Sequence, residues 1–132
     1  MRPYLYATTD LGQSWKRIDG GLPPDVYLHA VREDPKKRGQ LYLATERGVM
    51  YSPDHWSNWK PLRLNLPTVA VHDLQVKDDN LVVATHGRSL WILDDLQPVR
   101  ETDARVLSMP VYLFPAADAV RWRIGDGSWL RQ

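Results

Sequence analysis

The sequence contains no cysteine, so disulfide bonds and thiolate metal sites are excluded. It has one phenylalanine against six tryptophans and six tyrosines, so most of its aromatic side chains are amphipathic. No apolar run approaches the roughly 18–20 residues that cross a bilayer, and we expect no membrane partner. Basic and acidic residues number 17 and 16, with no long run of either sign. Since nucleic-acid surfaces need a clustered basic face, we expect no nucleic-acid partner either.

The length and the first residues suggest one domain and a cellular location. A chain of 132 residues has the size of a single globular domain. It begins Met1-Arg2-Pro3-Tyr4 and passes directly into strand-like sequence, unlike a signal peptide. We therefore expect a cytoplasmic protein from the chain as written, or an exported or periplasmic one if it is a piece of a longer protein.

One stretch, residues 8–15, combines turn chemistry with strand-like flanks. A hydroxyl, an aspartate, a glycine, a second hydroxyl and a tryptophan follow in close spacing, at Thr8, Asp10, Gly12, Ser14 and Trp15. The Asp10 carboxylate can accept bonds from backbone N–H groups of its own turn. Gly12 can adopt the positive φ that other residues avoid. We expect Trp15 to fold back over the hairpin and bury a large apolar area.

A second stretch, residues 52–59, keeps the same spacing. Ser52, Asp54, a second hydroxyl and Trp59 repeat the first pattern, but Trp56 replaces the glycine. This replacement predicts a distorted turn, in which Trp56 is either packed on a neighbour or exposed.

The segments between these stretches form an internal repeat. Residues 41–48 align with residues 81–88, and His29 and His72 each lie on the strand that follows a Leu-Pro loop. A period of about forty residues with four short strands is typical of a β-propeller blade. With strands labelled A to D from the axis outward, the chain reads CD, ABCD, ABC, which makes nine strands.

Residues 8–15 and 52–59, which we call the first and second box, resemble the Asp-box. This is the bacterial-neuraminidase repeat of sialidase-like and sortilin-like β-propellers. The resemblance covers roughly residues 4–98. This part of the sequence is similar to the last blades of larger bacterial propellers, which are often called glycosyl-hydrolase-like. It implies an all-β fold with the boxes at outer C–D hairpin turns, in a structural role. Sialidase catalysis needs an arginine triad and a Tyr/Glu pair that have no counterpart in this sequence, so that activity is not implied.

The chain divides into residues 1–98, the blades, and residues 99–132, a tail that covers a sheet edge or bridges subunits. Within the tail, residues 111–114 suggest one more strand and residues 116–119 a helical turn. The last residues are basic, with two tryptophans.

Polar side chains at the inner strands and at the B–C turns are candidates for a site in the propeller channel. His29, His72 and Asp73 belong to inner strands, while Glu46, Arg47, His86 and Arg88 belong to the turns. We assign catalysis to His29, His72, Asp73 and His86, and substrate binding to Arg47 and Arg88. Asp73 and Glu46 would hold Ca²⁺ or another divalent cation. The alternative is that the histidines only bond to backbone in a narrow channel.

Two function classes follow. In the first, the chain is a hydrolase that cleaves a small ester, lactone or glycosidic bond with a channel-bound cation. In the second, it is a non-catalytic binding or scaffold propeller of the sortilin type, with a small-molecule ligand.

The strand count also predicts an assembly. Because slightly more than two blades cannot close a ring, we expect a homo-oligomer. In it, the N-terminal hairpin of one copy completes the last blade of the next, with a trimer favoured over a dimer.

Overall fold

The computed structural model describes residues 2–56, 58–63 and 65–116, and it is predominantly β. The strands are β1 (Tyr6–Ala7), β2 (Lys16–Arg17), β3 (Leu28–Glu33), β4 (Leu41–Thr45), β5 (Gly48–Ser52), β6 (Lys60–Leu62), β7 (Val71–Lys77), β8 (Asn80–Thr85) and β9 (Leu90–Leu93). Two short helices follow, α1 (Gln97–Glu101) and α2 (Ala104–Ser108). The all-β prediction is confirmed. Neither helix has the length and apolarity to cross a membrane, and the described residues contain no other.

The strands form three antiparallel sheets of two, four and three strands, and within each sheet paired strands are consecutive in the chain. This is the predicted grouping of nine strands. The β-period of the sequence explains it, since short alternating runs are separated by turns rich in Gly, Pro and Asp. Strand β6, which contains Pro61, is an edge of its sheet, where the missing N–H of proline leaves no ladder bond unmade.

The sheets pack face to face in chain order around β4, which is buried on both faces. Alternate residues of a strand point to opposite faces, so β4 contributes to two cores. The core between the first and second sheets contains Ile18, Leu41, Leu43 and Trp59. The core between the second and third sheets contains Tyr42, Ala44, Val49, Val71, Leu74, Leu81, Val83 and Leu96. A four-stranded sheet with both faces covered therefore lies in the middle of the described chain.

The second and third sheets repeat the same irregularity. The β3–β4 register shifts between Leu28 and Ala30, and the β7–β8 register shifts between Val71 and Asp73. Each shift is a β-bulge, and the extra residue is a histidine, His29 in one sheet and His72 in the other. The internal repeat thus extends to a backbone defect that re-aims a side chain.

The turns that follow also match. Thr45 donates from Oγ1 to the carbonyl of Gly48 at 2.8 Å, and Thr85 donates to the carbonyl of Ser89 at 2.6 Å. One residue later, the N–H of Glu46 bonds to the carbonyl of Tyr27 at 3.0 Å. In the third sheet the N–H of His86 bonds to the carbonyl of Ala70 at 2.8 Å. Glu46 and His86 are therefore equivalent positions.

The first box has the predicted turn chemistry. The Asp10 carboxylate accepts from the Thr8 hydroxyl at 2.7 Å, from the Ser14 N–H at 2.9 Å and from the Ser14 hydroxyl at 2.5 Å. These bonds, led by the Ser14 hydroxyl, lower the pKa of Asp10 to about 2. Gly12 has a φ of 91°, as expected.

The prediction that Trp15 is buried is wrong, since 60% of its surface is exposed. Its counterpart in the second box, Trp59, is 6% exposed because the first sheet lies over it. Within the described residues, no sheet lies on the corresponding side of the β1–β2 hairpin. The difference between the two tryptophans is therefore one of neighbours, not of turn geometry.

The second box keeps the backbone conformation of the first, so the predicted distortion is wrong. His55 and Trp56 have positive φ values of 50° and 73°, at the positions where Leu11 and Gly12 have 59° and 91°. Trp56 packs against the core of the first and second sheets. Asn58 takes the place of Ser14, since its side-chain amide donates to Asp54 at 2.8 Å and its backbone N–H donates at 3.2 Å.

The tail differs from the prediction. Residues 111–114 belong to no sheet of the described structure, and Val111 and Leu113 are 83% and 91% exposed, so the predicted strand is wrong. The helices α1 and α2 were not predicted, although a proline near the start of α1 and the Asp103 cap of α2 account for them. Residues 117–119 of the predicted helical turn lie outside the described residues, and so does the basic end.

Candidate functional site

The second and third sheets bring the same ends of their strands together. In each of these sheets the first strand, β3 or β7, begins beside the turn that joins the next two strands, as antiparallel pairing requires. Strands β3 and β7 also contact each other directly. Residues at the bulges and at the turns after β4 and β8 therefore meet at one end of the molecule.

Three predicted residues, His29, His72 and His86, form a stack at this end, which we call the histidine stack. The ring centroids of His29 and His72 are 4.8 Å apart with an interplanar angle of 20°. Those of His72 and His86 are 4.9 Å apart at 28°. The two bulges cause the stacking, since each turns its histidine out of the regular strand pattern.

Glu46 fixes one end of the histidine stack. Its Oε2 lies 3.0 Å from Nε2 of His29, whose side chain is 27% exposed. A carboxylate only accepts, so Nε2 carries the hydrogen and Nδ1 of the neutral ring is an acceptor. At the equivalent place in the third sheet, His86 stacks on His72 instead. The repeat has thus produced one histidine–carboxylate pair and one histidine–histidine pair.

Two further predicted residues, Asp73 and Arg47, form ion pairs with residues outside the stack. Asp73 accepts from Arg32 at 2.8 Å and from the N–H of Leu74 at 2.8 Å. Arg47 donates to Asp25 at 2.5 Å, and this hydrogen bond lowers the pKa of Asp25. Arg32 and Asp25 were not predicted, and only the folded register reveals them as partners.

Arg88 lies in the turn between β8 and β9 and is exposed. Its backbone carbonyl accepts from the indole N–H of Trp91 at 2.9 Å. The indole therefore supports the turn that carries this side chain.

The two residues predicted to hold a cation, Glu46 and Asp73, have other partners in the structure. Glu46 bonds to His29 and Asp73 bonds to Arg32, so the two carboxylates have different partners. In residues 2–56, 58–63 and 65–116, no group of three or more His, Cys, Asp or Glu side chains is arranged to hold a metal ion. A Ca²⁺ ion takes six to eight oxygen ligands. We therefore derive no step through a metal.

A cleft of about 450 Å³ opens beside the turn after β4. It was not predicted from the sequence. The two Leu-Pro loops border it, and its lining includes Val26, Arg47, Met50, Trp59, Leu62 and Arg63. Its volume falls in the range of small-molecule sites, which are mostly apolar with a few placed polar groups. Arg47 lines the cleft, whereas Glu46 and the three histidines of the stack do not.

No family model, curated protein or solved structure matches the chain in comparisons with known proteins.

Proposed function

We propose that residues 4–98 are consecutive blades of a β-propeller. Support comes from the groups of two, four and three strands, which stack face to face in chain order. The turn before β2 and the turn before β6 both carry the box bonds, as outer hairpins of Asp-box propellers do. In this arrangement β3 and β7 are inner strands, and the histidine stack lies at the mouth of the channel.

The proposed activity is hydrolysis of a small ester, lactone or glycosidic bond by acid–base catalysis at the histidine stack. The observation that carries it is the 3.0 Å bond between Glu46 and Nε2 of His29. A carboxylate that orients an imidazole and stabilises its protonated form is the arrangement of a general base. Nδ1 of His29 takes a proton from water as the water oxygen attacks the carbonyl or anomeric carbon. His72 or His86, in its protonated form, donates a proton to the leaving oxygen and regains one from solvent, while His29 releases the proton taken from water to solvent.

The cleft lined by Arg47 would hold the substrate. Its apolar walls suit the body of a small molecule, and Arg47 would bind an acidic group or a developing oxyanion. The Arg47–Asp25 pair is more than half exposed on both sides, and such pairs contribute little to stability. A substrate anion can therefore replace Asp25 at low cost. Arg88 is a second exposed guanidinium at the same end.

The second candidate is a binding or scaffold propeller without catalysis. The ion pairs of Asp73 with Arg32 and of Arg47 with Asp25 favour it, because they neutralise charges that a catalytic site would aim at its substrate. In this case the histidine stack and the arginines form a docking point for an anionic small molecule.

A hydrolysis assay on a panel of aryl esters, lactones and aryl glycosides separates the two candidates. We expect His29→Ala and Glu46→Gln to lower kcat at least tenfold, with a smaller change in KM. His55→Ala is the matched control, since His55 lies in the second box and not in the stack. Circular dichroism and thermal melting establish that each variant is folded.

If no substrate in the panel turns over, or if the histidine and glutamate variants keep full turnover, the hydrolase proposal fails. Thermal shift with citrate, phosphate and sugar acids then tests the binding candidate. Loss of the shift in Arg47→Ala and Arg88→Ala, but not in Arg38→Ala, would support it.

A further inference from the structure

The cleft beside the turn after β4 carries positive charge that its own lining does not balance. Of the described residues that line it, two are charged, Arg47 and Arg63. Arg47 pairs with Asp25, which is not among the lining residues. In residues 2–56, 58–63 and 65–116, Arg63 belongs to none of the ion pairs. The cleft therefore offers one guanidinium with an exposed counter-charge and one guanidinium without a counter-charge.

The strand register places these two arginines side by side. Leu62 in β6 lies opposite Val49 in β5, so Arg63, one residue past β6, comes beside Gly48. Arg47 is the chain neighbour of Gly48. Opposite residues of an antiparallel pair have Cα atoms about 4.5–5.5 Å apart. The two arginine side chains therefore start from neighbouring positions at one end of the second sheet.

Gly48 leaves room between the two arginines. It lines the cleft, and its φ of +121° is a left-handed conformation that favours glycine. A Cβ at this position would have no atom within 4 Å apart from those of its chain neighbours. The space beside the Gly48 backbone is therefore open, with one arginine on each side of it.

The rest of the wall is largely apolar. Met50, Leu62 and Leu66 are partly buried and line the cleft, and the buried side chains of Val26 and Trp59 also contribute to it. Small-molecule sites combine apolar walls of this kind with a few placed polar groups. A ligand that suits the cleft therefore has an apolar body and an anionic group at one end.

The presence of two arginines favours a phosphate over a carboxylate as the anionic group. A guanidinium is a planar fork that binds a carboxylate or a phosphate through two parallel N–H···O bonds. One fork engages both oxygens of a carboxylate in this way. A phosphate monoester has three terminal oxygens and a charge of about −1.5 to −2 at neutral pH. It therefore matches two guanidinium groups both in charge and in the number of acceptors.

We propose that the cleft binds a phosphate monoester with an apolar body, whose phosphate lies between Arg47 and Arg63 over Gly48. Arg63 determines the specificity, because its guanidinium belongs to no ion pair among the described residues. Asp25 competes with the phosphate for Arg47. The Arg47–Asp25 pair is more than half exposed on both sides, so the phosphate displaces Asp25 at low cost.

This inference deepens the proposed function, since it rests on the cleft as the substrate or ligand site and adds that the bound molecule carries a phosphate. The phosphate serves for binding alone. The carboxylic ester, lactone or glycosidic bond that is hydrolysed lies elsewhere in the same molecule. Binding can therefore be measured at equilibrium with compounds that contain no such bond.

Isothermal titration calorimetry of the full chain with 1-naphthyl phosphate measures this binding. We expect a Kd at least about tenfold lower for 1-naphthyl phosphate than for 1-naphthoate, because a carboxylate engages only one of the two forks. Inorganic phosphate lacks the apolar body and should also bind at least about tenfold more weakly than 1-naphthyl phosphate.

Arg47→Gln and Arg63→Gln should each raise the Kd for 1-naphthyl phosphate at least about tenfold, since each removes a pair of charge-assisted hydrogen bonds. Asp25→Asn should lower it severalfold, because the competing charge is gone. Arg38→Gln is the matched control and should leave it unchanged, since Arg38 is also exposed but does not line the cleft. Circular dichroism and thermal melting establish that each variant is folded.

Equal affinities for 1-naphthyl phosphate and 1-naphthoate would overturn this inference, whether or not the chain hydrolyses esters. An Arg63→Gln variant that binds 1-naphthyl phosphate as tightly as the native chain would do the same. If binding depends on both arginines while no substrate of the hydrolysis panel turns over, the hydrolase proposal fails and the phosphate site stands.

Discussion

The indole N–H of Trp59 donates to the backbone carbonyl of Ile18 at 2.9 Å in the core between the first and second sheets. Trp59 ends the second box and Ile18 follows the first, so this one bond ties the two hairpins together. We predict that Trp59→Phe lowers the free energy of unfolding by about 1–3 kcal/mol, because the buried carbonyl loses its donor. Urea unfolding followed by tyrosine and tryptophan fluorescence measures it.

The matched change is Trp15→Phe in the first box. Trp15 is largely exposed, so its replacement should alter the free energy of unfolding by no more than about 0.5 kcal/mol. If both substitutions cost the same, the two boxes do not differ in burial as described.

Arg100 and Asp34 form a buried ion pair between α1 and the turn after β3. Arg100 Nε donates to Asp34 at 2.8 Å, and their side chains are 11% and 0% exposed. Arg100→Ala leaves the carboxylate buried without its counter-charge and should cost about 3–5 kcal/mol of unfolding free energy. Arg17→Ala, which breaks the exposed pair with Asp19, should cost less than about 1 kcal/mol.

Asp34 also predicts an acid transition. Burial alone would raise the pKa of Asp34, but hydrogen bonds from Arg100, the Lys36 N–H and Tyr42 outweigh it, and the pKa lies below its usual value. An acid with a lowered folded pKa stabilises the fold above its unfolded pKa, about 3.9 for aspartate, and loses that contribution as the pH falls through the folded value.

We therefore expect the urea midpoint to fall as the pH drops below about 5, and to fall less steeply in Asp34→Asn. Chemical denaturation at a series of acidic pH values measures both slopes. Parallel slopes for the native chain and the variant would contradict this account.

Gly39 lies so close to the ring of His55 that a residue with a Cβ would not fit at this position. Its φ is +85°, and a Cβ at this position would clash with the imidazole of His55. Gly39→Ala should therefore cost more than Gly87→Ala, where φ is +73° and no atom lies within 4 Å of the Cβ. We expect about 1–2 kcal/mol for Gly87→Ala from backbone strain alone.

The excess in Gly39→Ala should partly disappear when His55 is also changed to alanine, since the clash partner is then gone. Thermal melting of the two single variants and the double variant measures this. A double variant with no recovery would place the cost in the backbone and not in the His55 contact.

The order of the strands could be predicted because each signal is local. Boxes, Leu-Pro loops and alternating runs repeat at one period, and pairing follows chain order. The burial of Trp15 could not be predicted from its turn, because burial depends on a neighbouring sheet. The two helices carried readable signals, Pro98 in the first turn of α1 and Asp103 before α2, which the polar composition of the segment obscured.

The candidate site was predicted in part. The internal repeat placed His29 and His72 at equivalent positions, and it placed Glu46 and His86 at equivalent positions in the turns. Their stacking depends on two β-bulges, and no residue type in these strands predicts the position of a bulge. The partners of Asp73 and Arg47 come from other elements, so the expected cation site could not be judged before the register was known.

The Arg100–Asp34 bond also sets an order of events during synthesis. Sixty-six residues separate the two partners along the chain. A nascent chain can pair the strands of its second sheet before α1 has left the ribosome, since domains are made from the N-terminus at a few residues per second. Until then the Asp34 carboxylate has no guanidinium, and water must solvate it. The second sheet therefore reaches its final packing only when a helix from beyond the third sheet arrives.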